Sequence, residues 1–204
     1  MKKQILSIHG GDVFNSYEDY LSFLREYPAD LNRILTKKKW KNNLQDDLGE
    51  GWEVLNPQMP NYHNAKYVEW KIWFEKFLPF LRDGVILIGS SLGGSFLVKY
   101  LSENEFPVKI SAAYLIAAPF SAESRDANYT LGDFALPEAL DKFEQQVEKI
   151  FLYHSADDPV VPFSDLERYA QVFPKAKKVI FQDRGHFSQE HFPEIVDAIK
   201  KLAE

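Results

Sequence analysis

Val85-Ile86-Leu87-Ile88 is an unbroken aliphatic run stopped by Gly89, and runs of the same kind recur along the chain. They occupy Gln4 to Ile8, Trp52 to Leu55, Ala112 to Ala117, Ile150 to His154 and Lys178 to Phe181. Short, nearly continuous apolar runs with turn residues behind them are what strands look like when both faces of their sheet are covered. The stretches between them carry helical spacing instead. Ser16-Tyr17-Glu18-Asp19 opens one with an S-x-x-D capping pattern, after which Tyr17, Tyr20, Leu21 and Leu24 share a face until Pro28. Tyr67 to Leu78 places Trp70, Phe74 and Phe77 at i, i+4 and i+7 and is closed by Pro79. Leu92 to Leu101 and Ser164 to Phe173 give two more helices, and Pro193 opens a last one with Ile195, Ile199 and Leu202 turned inward.

Parallel strands cannot be joined by tight turns and need crossovers, which these helices supply. The fold class implied is α/β: a three-layer α/β/α sandwich around a six-stranded parallel sheet, with no segment large enough for a separate cap. With 204 residues and no linker-like tract, residues 1–204 read as one domain. Leu31 to Asp47 and Ser121 to Glu138 fit this scheme least well. The first is expected to extend or cover the crossover after the first strand, and the second to make a long excursion over the strand ends; either can wall a substrate pocket.

The rest of the composition narrows function by exclusion. Hydrophobic residues at 45% and charged residues at 26% suit a soluble globular chain, and a net charge of −6 repels polyanions, so no nucleic-acid partner is expected. Lys37-Lys38-Lys39 with Lys41 is too short a basic cluster to change that and reads as a solvated face. The absence of cysteine removes disulfides, thiolate metal sites and cysteine nucleophiles together. Neither a secretory leader nor an apolar run of about 18 residues is visible, so a cytoplasmic protein without a membrane partner is expected. Oligomeric state leaves no readable trace.

Gly89-Ser90-Ser91-Leu92-Gly93 spells G-x-S-x-G between the third strand and the helix that follows it. A strand-to-helix turn of this kind puts the central serine at a strained apex, with glycines where side chains would collide with neighbouring backbone. Ser91 is therefore the candidate nucleophile, at a helix N-terminus whose N–H groups favour developing negative charge. Ser90 occupies the x position and is expected to point away. Serine needs a base and the base needs an orienting acid. His186, in Gly185-His186-Phe187 after the last strand, holds the place of the base in the chain order Ser, Asp, His; His191 is a weaker candidate and His63 lies far from any strand end. The acid is sought after the fifth strand, where Asp157 and Asp158 stand side by side, Asp158 before Pro159 with Asp157 the fallback. For the oxyanion, the Leu92 N–H is one donor and Gly11 of His9-Gly10-Gly11-Asp12 the second, with Gly10 its near alternative; His9 reads as an orienting and packing residue.

Ile8-His9-Gly10-Gly11, Gly89-Ser90-Ser91-Leu92-Gly93, His154-Ser155-Ala156-Asp157-Asp158-Pro159-Val160-Val161-Pro162 and Gly185-His186-Phe187 occur in the order seen across the α/β-hydrolase superfamily. The short length and the H-S-x-D-D-P loop resemble the small retinoblastoma-binding-protein-type, YdeN-like serine hydrolases. That resemblance implies a Ser91–Asp158–His186 triad and hydrolysis of an ester or related acyl compound through an acyl-enzyme, without a cofactor. The partner expected is a small-molecule acyl substrate. A silent hydrolase-fold binding module is the alternative. A metal hydrolase drawing on His9, Asp12, His154 and His186 is disfavoured because no H-x-H or H-E-x-x-H spacing exists. His9, Phe120 and Phe134 are candidate pocket residues, and Trp40, Trp70 and Trp73 are aromatics that can wall a pocket or fill the core.

Overall fold

The computed structural model describes residues 2–28, 31, 39–121 and 130–202. Among these the strands are β1 (Lys3–Ile8), β2 (Trp52–Leu55), β3 (Val85–Ser90), β4 (Ile110–Ile116), β5 (Ile150–Ser155) and β6 (Lys177–Phe181). The helices are α1 (Tyr17–Glu26), α2 (Trp40–Leu48), α3 (Tyr67–Glu75), α4 (Leu92–Glu103), α5 (Asp141–Gln146), α6 (Phe163–Val172) and α7 (Pro193–Leu202). All strands pair in parallel, in the order β2-β1-β3-β4-β5-β6. Strand order reverses between β1 and β3, and the crevice beyond the carboxyl ends at such a switch point is where α/β sheets bind ligands.

Alternation along the strands divides the core. Leu6, Ile8, Val85 and Leu87 face one side, packed with Trp70, Phe74, Phe96 and Leu97 of α3 and α4. Ile5, Ile86 and Ile88 face the other, packed with Trp40 and Leu44 of α2 and with Ile195 and Ile199 of α7. The sandwich is thus three-layered, as the apolar runs imply.

Local chemistry sets the element ends. Ser16 caps α1, its Oγ accepting the Asp19 N–H at 3.1 Å while its hydroxyl donates to the Asp19 carboxylate at 2.8 Å. Pro79 stops the helical pattern begun at Tyr67, so α3 ends at Glu75 and a 3₁₀ turn follows at Leu78–Phe80. β4 begins two residues earlier than the apolar run suggests and ends before Ala117, which adopts φ 47°. Lys37 and Lys38 of the basic cluster, most of the segment before α2, and residues 122–129 of the excursion lie outside the described residues. No helix among the described residues is long and apolar enough to cross a membrane.

Candidate active site

β3 delivers Ser91 to the switch point. Its φ of 52° and ψ of −130° lie where a residue with a Cβ is strained, a cost on the order of 1–3 kcal/mol. Neighbouring hydrogen bonds hold it there: the Ser91 N–H donates to the Ile116 carbonyl and the Ser91 carbonyl accepts the Gly94 N–H, both at 2.8 Å. The turn is possible because Gly93 lies directly against the Ile8 and His9 carbonyls, where a methyl group has no room. Ser90 belongs to β3 and is buried. Ser91 is also the N-cap of α4, so it stands at the positive end of that helix's dipole.

The loops that carry the candidate acid and the candidate base leave neighbouring strands, β5 and β6. Asp158 is 1% exposed, and its Oδ1 accepts the Val160 and Val161 N–H groups at 2.8 and 3.0 Å. Its Oδ2 accepts Nδ1–H of His186 at 2.8 Å. A carboxylate oxygen held this way fixes the imidazole tautomer and leaves Nε2 as the nitrogen available to a hydroxyl. Asp157 does not fill this role; its carboxylate bonds to Ser155 and to the Gly185 N–H. Among the described residues, hydrogen bonds join His186 to Asp158 but do not join Ser91 Oγ to His186.

The loop after β1 approaches the serine from the other side. A Cβ built on Gly10 would meet Ser91 Cβ at 2.8 Å, and one on Gly11 would meet the Tyr62 carbonyl at 2.7 Å. Among the described residues, neither the Gly11 nor the Leu92 N–H is committed to a backbone carbonyl. His9 donates from Nδ1 to the Gly10 carbonyl at 2.6 Å and accepts the Met59 N–H on Nε2 at 2.8 Å. Both ring nitrogens are used, and burial lowers its pKa, so His9 is a neutral brace. Asp12 hydrogen-bonds His63 at 3.3 Å, and burial raises its carboxyl pKa against the opposing influence of His63 and His186. His63 is remote from the strand ends in sequence, and the fold brings it to Asp12.

The other histidines have separate tasks. His154 donates Nε2–H to the Val161 carbonyl at 3.1 Å beneath the Asp158 loop, and burial lowers its pKa. His191 pairs with Asp47 at the surface. Among the described residues no group of three or more His, Asp or Glu side chains is arranged to hold a metal ion.

The pocket candidates divide. Phe134 is 0% exposed and packs edge-on against Trp70 and Tyr67, so it belongs to the core and cannot wall a pocket. Trp40 and Trp70 are core residues as well, whereas Trp73 is partly exposed. Phe120 is half-buried, edge-on to Tyr169, with its N–H on Asp165 at 3.0 Å. A cavity of about 480 Å³ opens instead between α1 and the turn at Tyr62–Asn64, walled by Tyr17, Tyr20, Tyr62 and His63 among others. Sequence spacing did mark Tyr17 and Tyr20 as one helix face, but not what that face opposes.

The serine hydrolase family model matches residues 35–200 of the chain. Serine hydrolase RBBP9 of Rattus norvegicus is 26% identical over 152 residues, which is 74% of this chain and 78% of that protein. Among solved structures, the ydeN gene product of B. subtilis aligns with a TM-score of 0.70 at 18% identity, covering 99% of both chains. Est1E from Butyrivibrio proteoclasticus aligns with a TM-score of 0.59 at 16% identity, over 99% of this chain and 87% of its own. At such identities the structural likeness speaks for the fold, and the family match speaks for the chemistry. Because that match spans well over half of the chain, the protein belongs to the serine hydrolase family, and it has the α/β-hydrolase fold.

Proposed function

We propose that the protein hydrolyses a carboxylic ester or related acyl compound through an acyl-enzyme on Ser91. The observation that carries this reading is the buried Asp158 carboxylate, held by two backbone N–H groups and closing on His186 Nδ1 at 2.8 Å. His186 Nε2 takes the Ser91 proton as Oγ bonds to the acyl carbon, and the carbonyl oxygen becomes an oxyanion facing the Gly11 and Leu92 N–H groups. The C–O bond to the leaving group then breaks, and the alkoxide takes its proton from the imidazolium. Water, deprotonated by the same nitrogen, attacks the acyl-enzyme and returns Ser91. Asp158 holds the ring and balances its transient positive charge. Hydrogen bonds between serine and base in such sites tighten when substrate arrives, and the Ser91–His186 bond forms at that stage.

The cavity between α1 and the Tyr62–Asn64 turn receives the larger group of the ester. Its volume lies in the range of small-molecule sites, and tyrosine rings give it flat apolar walls with polar rims. The turn that walls it is tied to the loop after β1, because the Asp12 N–H donates to the Tyr62 carbonyl at 2.8 Å and the Asp12 carbonyl accepts the Ala65 N–H at 2.9 Å.

The test is hydrolysis of p-nitrophenyl esters of increasing chain length, with an amide and a thioester alongside, by the native protein and by Ser91→Ala. Turnover by the native protein, absent in the variant, and a fluorophosphonate mass gained only by the native protein are expected. Esterase activity retained in Ser91→Ala refutes the nucleophile assignment. A folded native protein that neither turns over esters nor gains the probe mass is a binding module.

A further inference from the structure

His186 stands between two residues of left-handed backbone, Gly185 at φ 49° and Phe187 at φ 51°. Glycine adopts that conformation freely, but phenylalanine does not, so the turn persists only if its surroundings hold it. Two sets of contacts do. On the N-terminal side, Asp157 Oδ1 accepts the Gly185 N–H at 2.9 Å, and Ser155 Oγ accepts the Arg184 N–H at 3.0 Å. The Ser155 hydroxyl donates to the same Asp157 oxygen at 2.5 Å, so the two acceptors form one unit, and the bonds hold the Asp157 carboxyl below its usual pKa.

On the C-terminal side the contacts come from α2. Trp40 Nε1–H donates to the Phe187 carbonyl at 3.0 Å, the Trp40 N–H to the Gln189 carbonyl at 2.9 Å, and Asn43 Nδ2 to the Glu190 carbonyl at 3.1 Å. The Phe187 ring is buried between Phe181 and Phe192. Asp158, from the loop between, holds the imidazole itself through Nδ1.

We propose that Asp157 and Trp40 are positioning residues that hold the His186 turn from opposite sides and so aim its Nε2 at Ser91. This rests on His186 being the general base. The second aspartate of the pair is then the partner of the ring, and the first is the partner of the backbone that carries the ring. The α2 segment has a matching role: it spans 147 residues of sequence to brace the base.

The experiment compares Asp157→Ala, Asp157→Asn, Trp40→Phe and Asp158→Asn with the native protein, reading kcat and KM on p-nitrophenyl acetate and the rate of fluorophosphonate labelling. Asp157→Ala and Trp40→Phe are expected to lower kcat and the labelling rate about tenfold or more with KM within about twofold, since a misaimed base costs chemistry and not binding. Asp157→Asn keeps an acceptor oxygen and is expected to recover most of the rate. Because Asp157 is exposed, its variants keep the core intact even should Trp40→Phe fail to fold. Asp157→Ala within twofold of native kcat overturns the proposal, as does Asp157→Asn as impaired as Asp158→Asn. Full activity in Ser91→Ala overturns the underlying hydrolase mechanism instead.

Discussion

Gly10→Ala tests how closely the loop after β1 is fitted to the nucleophile. The added Cβ would stand 2.8 Å from Ser91 Cβ, 3.3 Å from Ser91 Oγ and 3.4 Å from the Ser90 carbonyl oxygen. Carbon–carbon contacts relax at about 3.5–4.0 Å, so one partner must retreat by about 0.7–1.2 Å. Ser91 cannot, because its N–H and carbonyl are both fastened, to Ile116 and Gly94. The retreat therefore falls on His9 to Asp12, and it carries the Gly11 N–H away from the oxyanion. A displacement of about 1 Å at a positioning group costs roughly 10²-fold, comparable to losing an oxyanion donor and equal to about 2.7 kcal/mol in activation free energy. Overpacking itself costs about 1–3 kcal/mol of stability, which the fold survives. The assay is kcat on p-nitrophenyl acetate beside Gly51→Ala, where nothing lies within 4 Å of the added methyl group. A Gly10→Ala protein with kcat within about threefold of the native value would refute the reasoning, because the contact would then be too soft to govern the site.

Asp158→Asn removes the charge that balances imidazolium and is expected to lower kcat by about 10⁴ with a small change in KM; a loss under tenfold contradicts the triad assignment. Phe134→Ala removes a fully buried ring and is expected to cost about 3–5 kcal/mol in denaturant unfolding, without altering the KM of the protein that remains folded. Tyr17→Ala takes one ring from the cavity wall, worth about 0.5–1.5 kcal/mol, so KM for a bulky aryl ester is expected to rise about two- to tenfold while KM for ethyl acetate is unchanged. Burial holds His154 neutral below the ordinary imidazole pKa of about 6.5, so on acidification the unfolded chain takes a proton that the folded chain refuses. Stability therefore falls as pH drops below about 6.5, and His154→Gln, which can still donate to Val161, is expected to flatten that slope in unfolding midpoints measured from about pH 5 to 8.

The strands were legible because a sheet covered on both faces writes itself as continuous apolar runs, and candidate site residues could be picked out wherever a motif followed such a run. Ser91, Asp158 and His186 are each the consequence of a strand end. What lay outside that logic was harder to read. In α2, Trp40, Leu44 and Leu48 do recur every four residues and Gly49 closes the helix at φ 88°, but the polar residues between them and the lysines ahead mask the pattern. Phe134 reads as a pocket residue because it lies in the excursion after the fourth strand; it is buried because Trp70 and Tyr67, more than sixty residues away, close over it. The pairing of Asp12 with His63 and the strap from Asp157 to Gly185 are likewise long-range, and no local spacing encodes them.

The register of the sheet divides the candidate site residues into two halves. Ile8 pairs with Gly89 and Ser155 pairs with Phe181, so the candidate nucleophile is tied to the candidate oxyanion loop, and the candidate acid to the candidate base, across a single interstrand step of about 4.8 Å. Those two separations are set by backbone ladders, which side-chain changes at the surface barely disturb. Between the halves runs β4, paired in parallel with both β3 and β5, so the halves stand two interstrand steps apart on ladders of the same kind. A molecule bound covalently to Ser91 and hydrogen-bonded to His186 would join the loops after β3 and β6, and amide exchange in the two loops should then slow together.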